Sequence, residues 1–433
     1  MHKTETRNFD IRQLTRVEGE GRLALEVRDG RVVKAQLEIF EAPRYFERLV
    51  VGRTPDEVID IVSRICGICP VAYQMSAVHA FEDLFEVAID PQVRALRRLF
   101  YCGEWIESHA LHIYLLHAPD FLGYPSAIEL AAEAPAVVER GLRLKRLGNR
   151  IVALLGGRAI HPVSVRVGGF SRAPRPAELS EIRKALPAAI ADAAETVRWA
   201  TSLPTPASDR RPRLVALQSP DEYPMNHGRI VSSDGLDLRV SDWRDAFHEE
   251  QVPWSNALQA RAADGTPYLV GPVARLALNR ERLHPLAAEE LTATGLGDEL
   301  WTNVFRSIVG RSVELLHALA EAADLIDAYR PPEVPAIHWL PRPGVAAWAT
   351  EAPRGLLFHR YVVGEDGLIE DAQIVPPTSQ NQAAIEHDLV DFAPSVVDLP
   401  RAEAAVRIEQ LIRSYDPCIS CATHFLDLSV EDR

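Results

Sequence analysis

The sequence predicts an α+β fold, mainly α: a central bundle of long helices with peripheral β-hairpins and a small β-rich insert. Three observations predict it. Apolar residues recur at helical spacing through residues 54–117 and again over 298–329. Apolar and polar residues alternate over 22–41. Between 203 and 276 proline, aspartate and glycine interrupt short apolar runs, the pattern of brief strands and turns. With 433 residues, 47% of them hydrophobic, the chain has ample material for a large core. No repeat or linker divides it, so residues 1–424 read as one composite domain, followed by an extension, 425–433.

Leu23, Leu25 and Val27 alternate with polar neighbours, Asp29-Gly30 supplies a turn, and Val33, Ala35, Leu37 and Ile39 resume the alternation. Just before this hairpin, Glu18 stands beside Gly19 and Gly21; alone, it reads as a solvated residue leading into a strand. Thr54, Pro55 and Glu57 form a capping box with proline at the first helical position. Val58, Ile59, Val62 and Ile65 give that helix an apolar stripe, and it runs to Cys66. Pro70 starts a second helix through Met75, Val78, Phe81 and Phe85. A long helix is expected over 91–117, carrying His109, His112 and His117; histidines three apart can share a metal, though core histidines bonded to carbonyls or acids are commoner. Cys102 on that helix reads as a small core hydrophobe. Further helices are expected over 141–160, 177–202 (with Pro187 placed to kink it), 298–329 and 401–414, with strands and loops from Ala346 onward.

The formal net charge is −14, which argues against a nucleic-acid grip or an anionic membrane surface. The N-terminal residues are polar, and no apolar run approaches the ~20 residues of a membrane span. Five cysteines in so long a chain do not make a secreted disulfide scaffold. The expectation is a cytoplasmic protein with reduced thiols.

Four of those cysteines form two C-x-x-C pairs: Cys66 and Cys69 in Arg64-Ile65-Cys66-Gly67-Ile68-Cys69-Pro70, and Cys418 and Cys421 in Asp416-Pro417-Cys418-Ile419-Ser420-Cys421-Ala422-Thr423-His424. Four thiolates suit zinc, an iron–sulfur cluster or another soft-ligand metal. Zinc knuckles normally sit ~15–20 residues apart, whereas Cys69 and Cys418 are 349 positions apart. A short helix over 418–424 would put Cys418, Cys421 and His424 on one face.

These two stretches resemble the cysteine motifs of the large, catalytic subunit of the nickel–iron hydrogenases. Thr15-Arg16-Val17-Glu18-Gly19 and Ala352-Pro353-Arg354-Gly355 support the resemblance, which extends from about residue 15 to 424. It implies that family's large-subunit fold and the reversible heterolytic cleavage of H2 to protons and electrons. It implies that all four thiols bind nickel, with Cys69 and Cys421 bridging to an iron that carries one carbon monoxide and two cyanides, an Ni-Fe(CN)2(CO) centre. Glu18 would relay protons beside Cys418, Arg354 would lie over the open metal edge, and Pro353 and Thr378 would line the diatomic-ligand pocket. Glu47, the carbonyl of Ile374 and His424 would hold Mg2+ or Fe2+, a hard-ligand set. A guanidine with a pKa above ~12 is a poor base, so the Cys418 thiolate is expected to take the first proton.

The implied partners are an iron–sulfur small subunit, NAD(P)-reductase (diaphorase) subunits, a maturation protease and nickel-loading chaperones. The run Cys69-Pro70-Val71-Ala72-Tyr73-Gln74-Met75 is similar to the cytoplasmic NAD(P)-linked bidirectional and sulfhydrogenase types. Two departures stand out: Ser108 replaces an acid found in many relatives, and Tyr73 a histidine. The resemblance implies that residues 425–433 are a propeptide removed once nickel is loaded, or else a short tail retained by an unprocessed branch. The alternatives are a hydrogen-sensing regulatory subunit, which would turn over very slowly, and a structural zinc protein. The four thiols argue against the related quinone-reductase subunit.

Overall fold

The structure, a computed structural model, describes residues 6–29 and 31–423. His424 and the extension 425–433 therefore lie outside the described residues, as does Gly30 of the expected turn.

The alternating stretch forms strands Gly21–Arg28 and Arg31–Ile39, antiparallel, with Leu23, Leu25 and Val27 buried. A third strand, Thr6–Ile11, pairs on the other side of Gly21–Arg28. Sequence reading missed it because Phe9 is its one buried side chain, too little for a period-two signal. The capping box forms as expected: Thr54 Oγ1 accepts from the Glu57 N–H at 3.4 Å, and the Glu57 carboxylate accepts from the Thr54 N–H at 2.8 Å. The helix Pro55–Val62 then leads through a turn to the first cysteine pair, and Pro70–Phe85 follows.

The long helix runs Pro91–Leu111, widens into a π-turn over His112–His117, and ends at Ala118–Leu122. It packs against helices Pro135–Gly156 and Ser307–Ala328, the latter also against Pro176–Ser202. Pro135–Gly156 begins six residues before the expected start, with proline at its first turn. Helix Pro176–Ser202 is continuous through Pro187. The single helix expected over 298–329 is three pieces: Glu299–Thr302, a 3-10 turn Val304–Arg306, and Ser307–Ala328. Asn303 makes the break, its backbone extended, its side chain accepting from the Phe305 N–H at 3.0 Å and donating to the Pro206 carbonyl at 3.0 Å.

The insert holds a four-stranded sheet (Arg213–Gln218, Arg229–Ser232, Asp237–Leu238 and Tyr268–Leu269) and a hairpin, Phe247–Gln251 with Leu258–Ala262. Its expected end at 276 falls inside a helix, Pro272–Asn279. Val215, Leu217, Trp243 and Tyr268 share one cluster with Ala349, Leu356 and Phe358 of a late three-stranded sheet. That sheet is an antiparallel meander of Gly344–Ala352, Gly355–Val363 and Ile369–Val375. After it comes a helix the sequence did not announce, Pro377–Phe392, then Arg401–Ser414 at the expected bounds.

Candidate metal centre

The first cysteine pair is set by the turn between two helices. Pro70 occupies the first helical position, and the buried Glu104 carboxylate accepts from the Val71 and Ala72 N–H groups at 2.6 and 3.1 Å. The carboxyl caps that helix start by accepting both N–H bonds, while burial pushes its pKa well above the usual range despite them. Cys66 Sγ accepts from the Ile68 and Cys69 N–H groups at 3.3 and 3.2 Å. The Cys69 thiol beside it and the Arg354 guanidinium lower the Cys66 pKa against burial, and the same contact with Cys66, with burial, raises Cys69.

The second pair arrives from the helix Arg401–Ser414. Asp416 turns the chain with φ 53°, a left-handed conformation that costs a non-glycine residue ~1–3 kcal/mol. The Cys418 N–H donates to Thr378 Oγ1 at 2.9 Å, and Ile419–Ala422 forms one short helix. Cys418 and Cys421 are joined by a disulfide, and Cys66 Sγ stands 3.6 Å from Cys418 Sγ. All four sulfurs lie within 4.8 Å of one another, each residue buried. Four soft donors so gathered match metal–sulfur bonds of ~2.3 Å, once the Cys418–Cys421 pair is reduced to thiolates. The donor set therefore fits the expected soft-metal centre.

Glu18 is threaded against the second pair. Its carbonyl accepts from the Ile419 N–H at 2.9 Å, and its Oε2 accepts from the Ser420 N–H at 3.1 Å. The same Oε2 lies 3.1 Å from Cys418 Sγ. Gly19 makes this approach feasible. It sits at φ 86°, and a Cβ there would lie 2.6 Å from Glu41 Oε2 and 2.8 Å from Ile419 Cβ. Upstream, Arg413 clamps Asp120 at 2.7 Å and the Thr15 carbonyl at 2.9 Å, and Arg16 also pairs with Asp120.

Arg354 stands at the tip of the hairpin closed by Ala352 opposite Gly355. Gly355, at φ 136°, allows that tip to meet the insert, since a Cβ would lie 2.7 Å from the Gly271 nitrogen. The Pro353 carbonyl accepts from Arg275 at 3.0 Å. Arg354 donates from Nε to the Asp416 carbonyl at 2.8 Å and from Nη2 to Asp416 Oδ1 at 3.1 Å; Nη1 has no partner among the described residues. Burial opposes its charge, but Asp416, Cys69, Cys66 and Glu18 outweigh burial and hold its pKa above the ordinary value.

Glu47 and Ile374 also meet: Glu47 Oε1 accepts from the Ile374 N–H at 2.7 Å. Burial, with Glu249 adding repulsion, raises the Glu47 pKa to about 8, and burial raises Glu249 to about 7. The Thr423 carbonyl accepts from the Arg44 N–H at 2.7 Å, bringing the last described residue beside this carboxylate's helix, Phe46–Leu49.

The long-helix histidines do not join the sulfurs. His109 lies 3.0 Å from Glu314, and His112 Nε2 donates to the Arg413 carbonyl at 2.8 Å. Burial lowers both pKa values, the mark of neutral core histidines. Ser108 is buried, its hydroxyl without a partner among the described residues. Sequence reasoning assigned Asp416 no side-chain role and did not single out Glu104 or Arg413, which hold the approach to the two cysteine pairs. The residue before Cys418 by two places was the visible signal for Asp416; the other two carry none.

A family model described as nickel-dependent hydrogenase matches residues 44–140 and 249–424. Sulfhydrogenase 1 subunit alpha of Pyrococcus furiosus is 32% identical over 422 residues, 96% of this chain and 98% of that one. Sulfhydrogenase 2 subunit alpha of the same organism is 32% identical over 431 residues, covering 97% and 100%. The crystal structure of an NAD+-reducing [NiFe]-hydrogenase in the H2-reduced state superposes with a TM-score of 0.87 at 26% identity, covering 96% and 99% of the two chains.

Proposed function

The chain belongs to the nickel-dependent hydrogenase family, as a large subunit, and from that premise we propose that Cys66, Cys69, Cys418 and Cys421 hold a nickel–iron centre for reversible H2 cleavage. One observation carries the reading: two cysteine pairs from opposite ends of the chain converge as four buried sulfurs within 4.8 Å. Bound there, nickel and an iron bearing carbon monoxide and two cyanides supply the acidity that lets dihydrogen split heterolytically.

The residues around the sulfurs then divide the proton work. Cys418 is the first acceptor, and Glu18 Oε2, 3.1 Å from its sulfur, takes the proton onward. Arg354 serves as a fixed positive pole, since its surroundings hold it charged. Two of its nitrogens are bound to Asp416, which leaves Nη1 without a partner among the described residues. Thr378 sets the Cys418 backbone through its hydroxyl, and with Pro353 lines the space for the diatomic ligands. Glu47, the Ile374 carbonyl and His424 hold Mg2+ or Fe2+ and pin the chain end.

Electrons leave through a partner. Cys102, the one cysteine outside the quartet, is fully buried, which leaves no thiols for an iron–sulfur relay in this chain. An iron–sulfur small subunit therefore receives them. Similarity to the sulfhydrogenase alpha subunits and to an NAD+-reducing enzyme supports diaphorase partners, NAD(P) as acceptor and a cytoplasmic setting. No described helix is long and apolar enough to cross a membrane. The test is turnover by the purified complex. H2-dependent reduction of a dye and of NAD+ or NADP+, abolished by C66S and by C418S, is the expected result; bound zinc without turnover would contradict it. A very slow rate with nickel bound would favour a sensor.

A further inference from the structure

Arg311, on the helix Ser307–Ala328, is 2% exposed and forms no ion pair among the described residues. Its Nη1 donates to the Ser414 carbonyl at 3.0 Å and the Ser307 carbonyl at 3.4 Å, and its Nε has no partner among the described residues. A buried guanidinium offered only carbonyls is poorly compensated, so its counter-charge must be close. The other buried acid nearby, Glu314, is already taken by Arg275 through two bonds of 2.7 Å and by Tyr223 at 2.7 Å. Asp416, two residues beyond the Ser414 carbonyl that Arg311 holds, is the next buried acid on that stretch of chain. Burial lowers the Arg311 pKa to about 10, and Asp416 is the leading group that opposes the fall.

Asp416 gives Oδ1 to Arg354, while its Oδ2 has no partner among the described residues. The chain leading to Cys418 is meanwhile held carbonyl by carbonyl. His112 takes that of Arg413 at 2.8 Å, Ser307 Oγ and Arg311 take that of Ser414, and Arg354 takes that of Asp416.

We infer that Arg311 is a positioning residue of the metal centre, fixing the approach to Cys418 through the Ser414 carbonyl and adding a buried positive charge on the side of the Arg354–Asp416 pair. Arg311, bonded only to carbonyls, adds a positive charge that no ion pair among the described residues offsets. Arg354 and Asp416 alone would be a neutral pair. The consequence rests on the nickel–iron reading, because it is the field at those metals that Arg311 sets.

The test uses the purified, metal-loaded complex. In R311Q the infrared band of iron-bound carbon monoxide moves to lower frequency by more than the wild-type band width, and the midpoint potential of the centre becomes more negative. S307A removes the other donor to Ser414 without changing charge, and leaves band and potential in place. R311K keeps the charge and restores the wild-type frequency, which also serves if R311Q fails to load metal. An unmoved band and potential in R311Q would overturn the inference. So would a shift in S307A as large as that in R311Q, or a displaced band in R311K. A wild-type complex with no such band would instead sink the nickel–iron reading.

Discussion

Glu18 and Gly19 show how little sequence the proton exit needs. A carboxylate can approach the Cys418 sulfur only if its own backbone lies against Ile419 and Ser420, and only glycine at 19 leaves room for that. Replacing Glu18 with glutamine keeps the shape and removes the titrating group. E18Q should retain nickel and iron but lose H2 oxidation by ~10²-fold or more, the range of a positioned acid–base group; near wild-type turnover would remove Glu18 from the path. G19A meets both a left-handed φ and overlapping atoms. It should cost at least ~1–3 kcal/mol in thermal unfolding, and an unchanged melting temperature would contradict the packing described. Thr378 offers a milder probe. T378V leaves the buried Cys418 N–H unpaired, at ~1–3 kcal/mol, and should weaken nickel retention on dialysis.

Elements differ in how openly the sequence announces them. Thr54, Pro55 and Glu57 mark a helix start by local chemistry alone; that helix begins where expected but ends at Val62, short of Cys66, while Arg401–Ser414 lies at its expected bounds. Pro377–Phe392 was invisible for the opposite reason. Its polar residues face inward: Asn381 accepts from the Val270 N–H at 2.9 Å, and Gln382 donates to the Leu258 carbonyl at 2.9 Å. Buried amides satisfied by strand edges erase the amphipathic stripe on which helix reading depends. The same holds within the site. The cysteines declare themselves by spacing, whereas Arg311 and Glu314 read as solvated charges until the fold buries them. Glu314 illustrates the energetics. Burial alone would raise its pKa, but Arg275 and His109 hold it to about 2, and Arg97 and His79 do the same for Glu82. Against ~4.3 in the unfolded chain, such carboxyls add stability that is complete above about pH 4.3 and is lost as pH falls toward 2. Urea midpoints should therefore drop steeply below about pH 4.3. E314Q should cost ~3–5 kcal/mol at pH 7, as expected when one partner of a buried pair is removed. A flat acid limb would contradict this.

At the scale of the molecule, the helical bundle and the late sheet bring residues 18, 66, 354 and 418 to one buried place. The last described residue, Thr423, also lies there, its carbonyl accepting from the Arg44 N–H beside the helix of the proposed hard-metal carboxylate. The proposed removal of residues 425–433 predicts an intact mass ending at His424 in the active enzyme, and a mass ending at Arg433 would exclude cleavage. The central claim is that four thiolates hold nickel and a diatomic-bearing iron. Infrared spectroscopy of the purified native complex tests it most directly. Absorption bands of iron-bound carbon monoxide and cyanide are the predicted result, and a spectrum without them, from protein in which zinc fills the cysteine site, would contradict it.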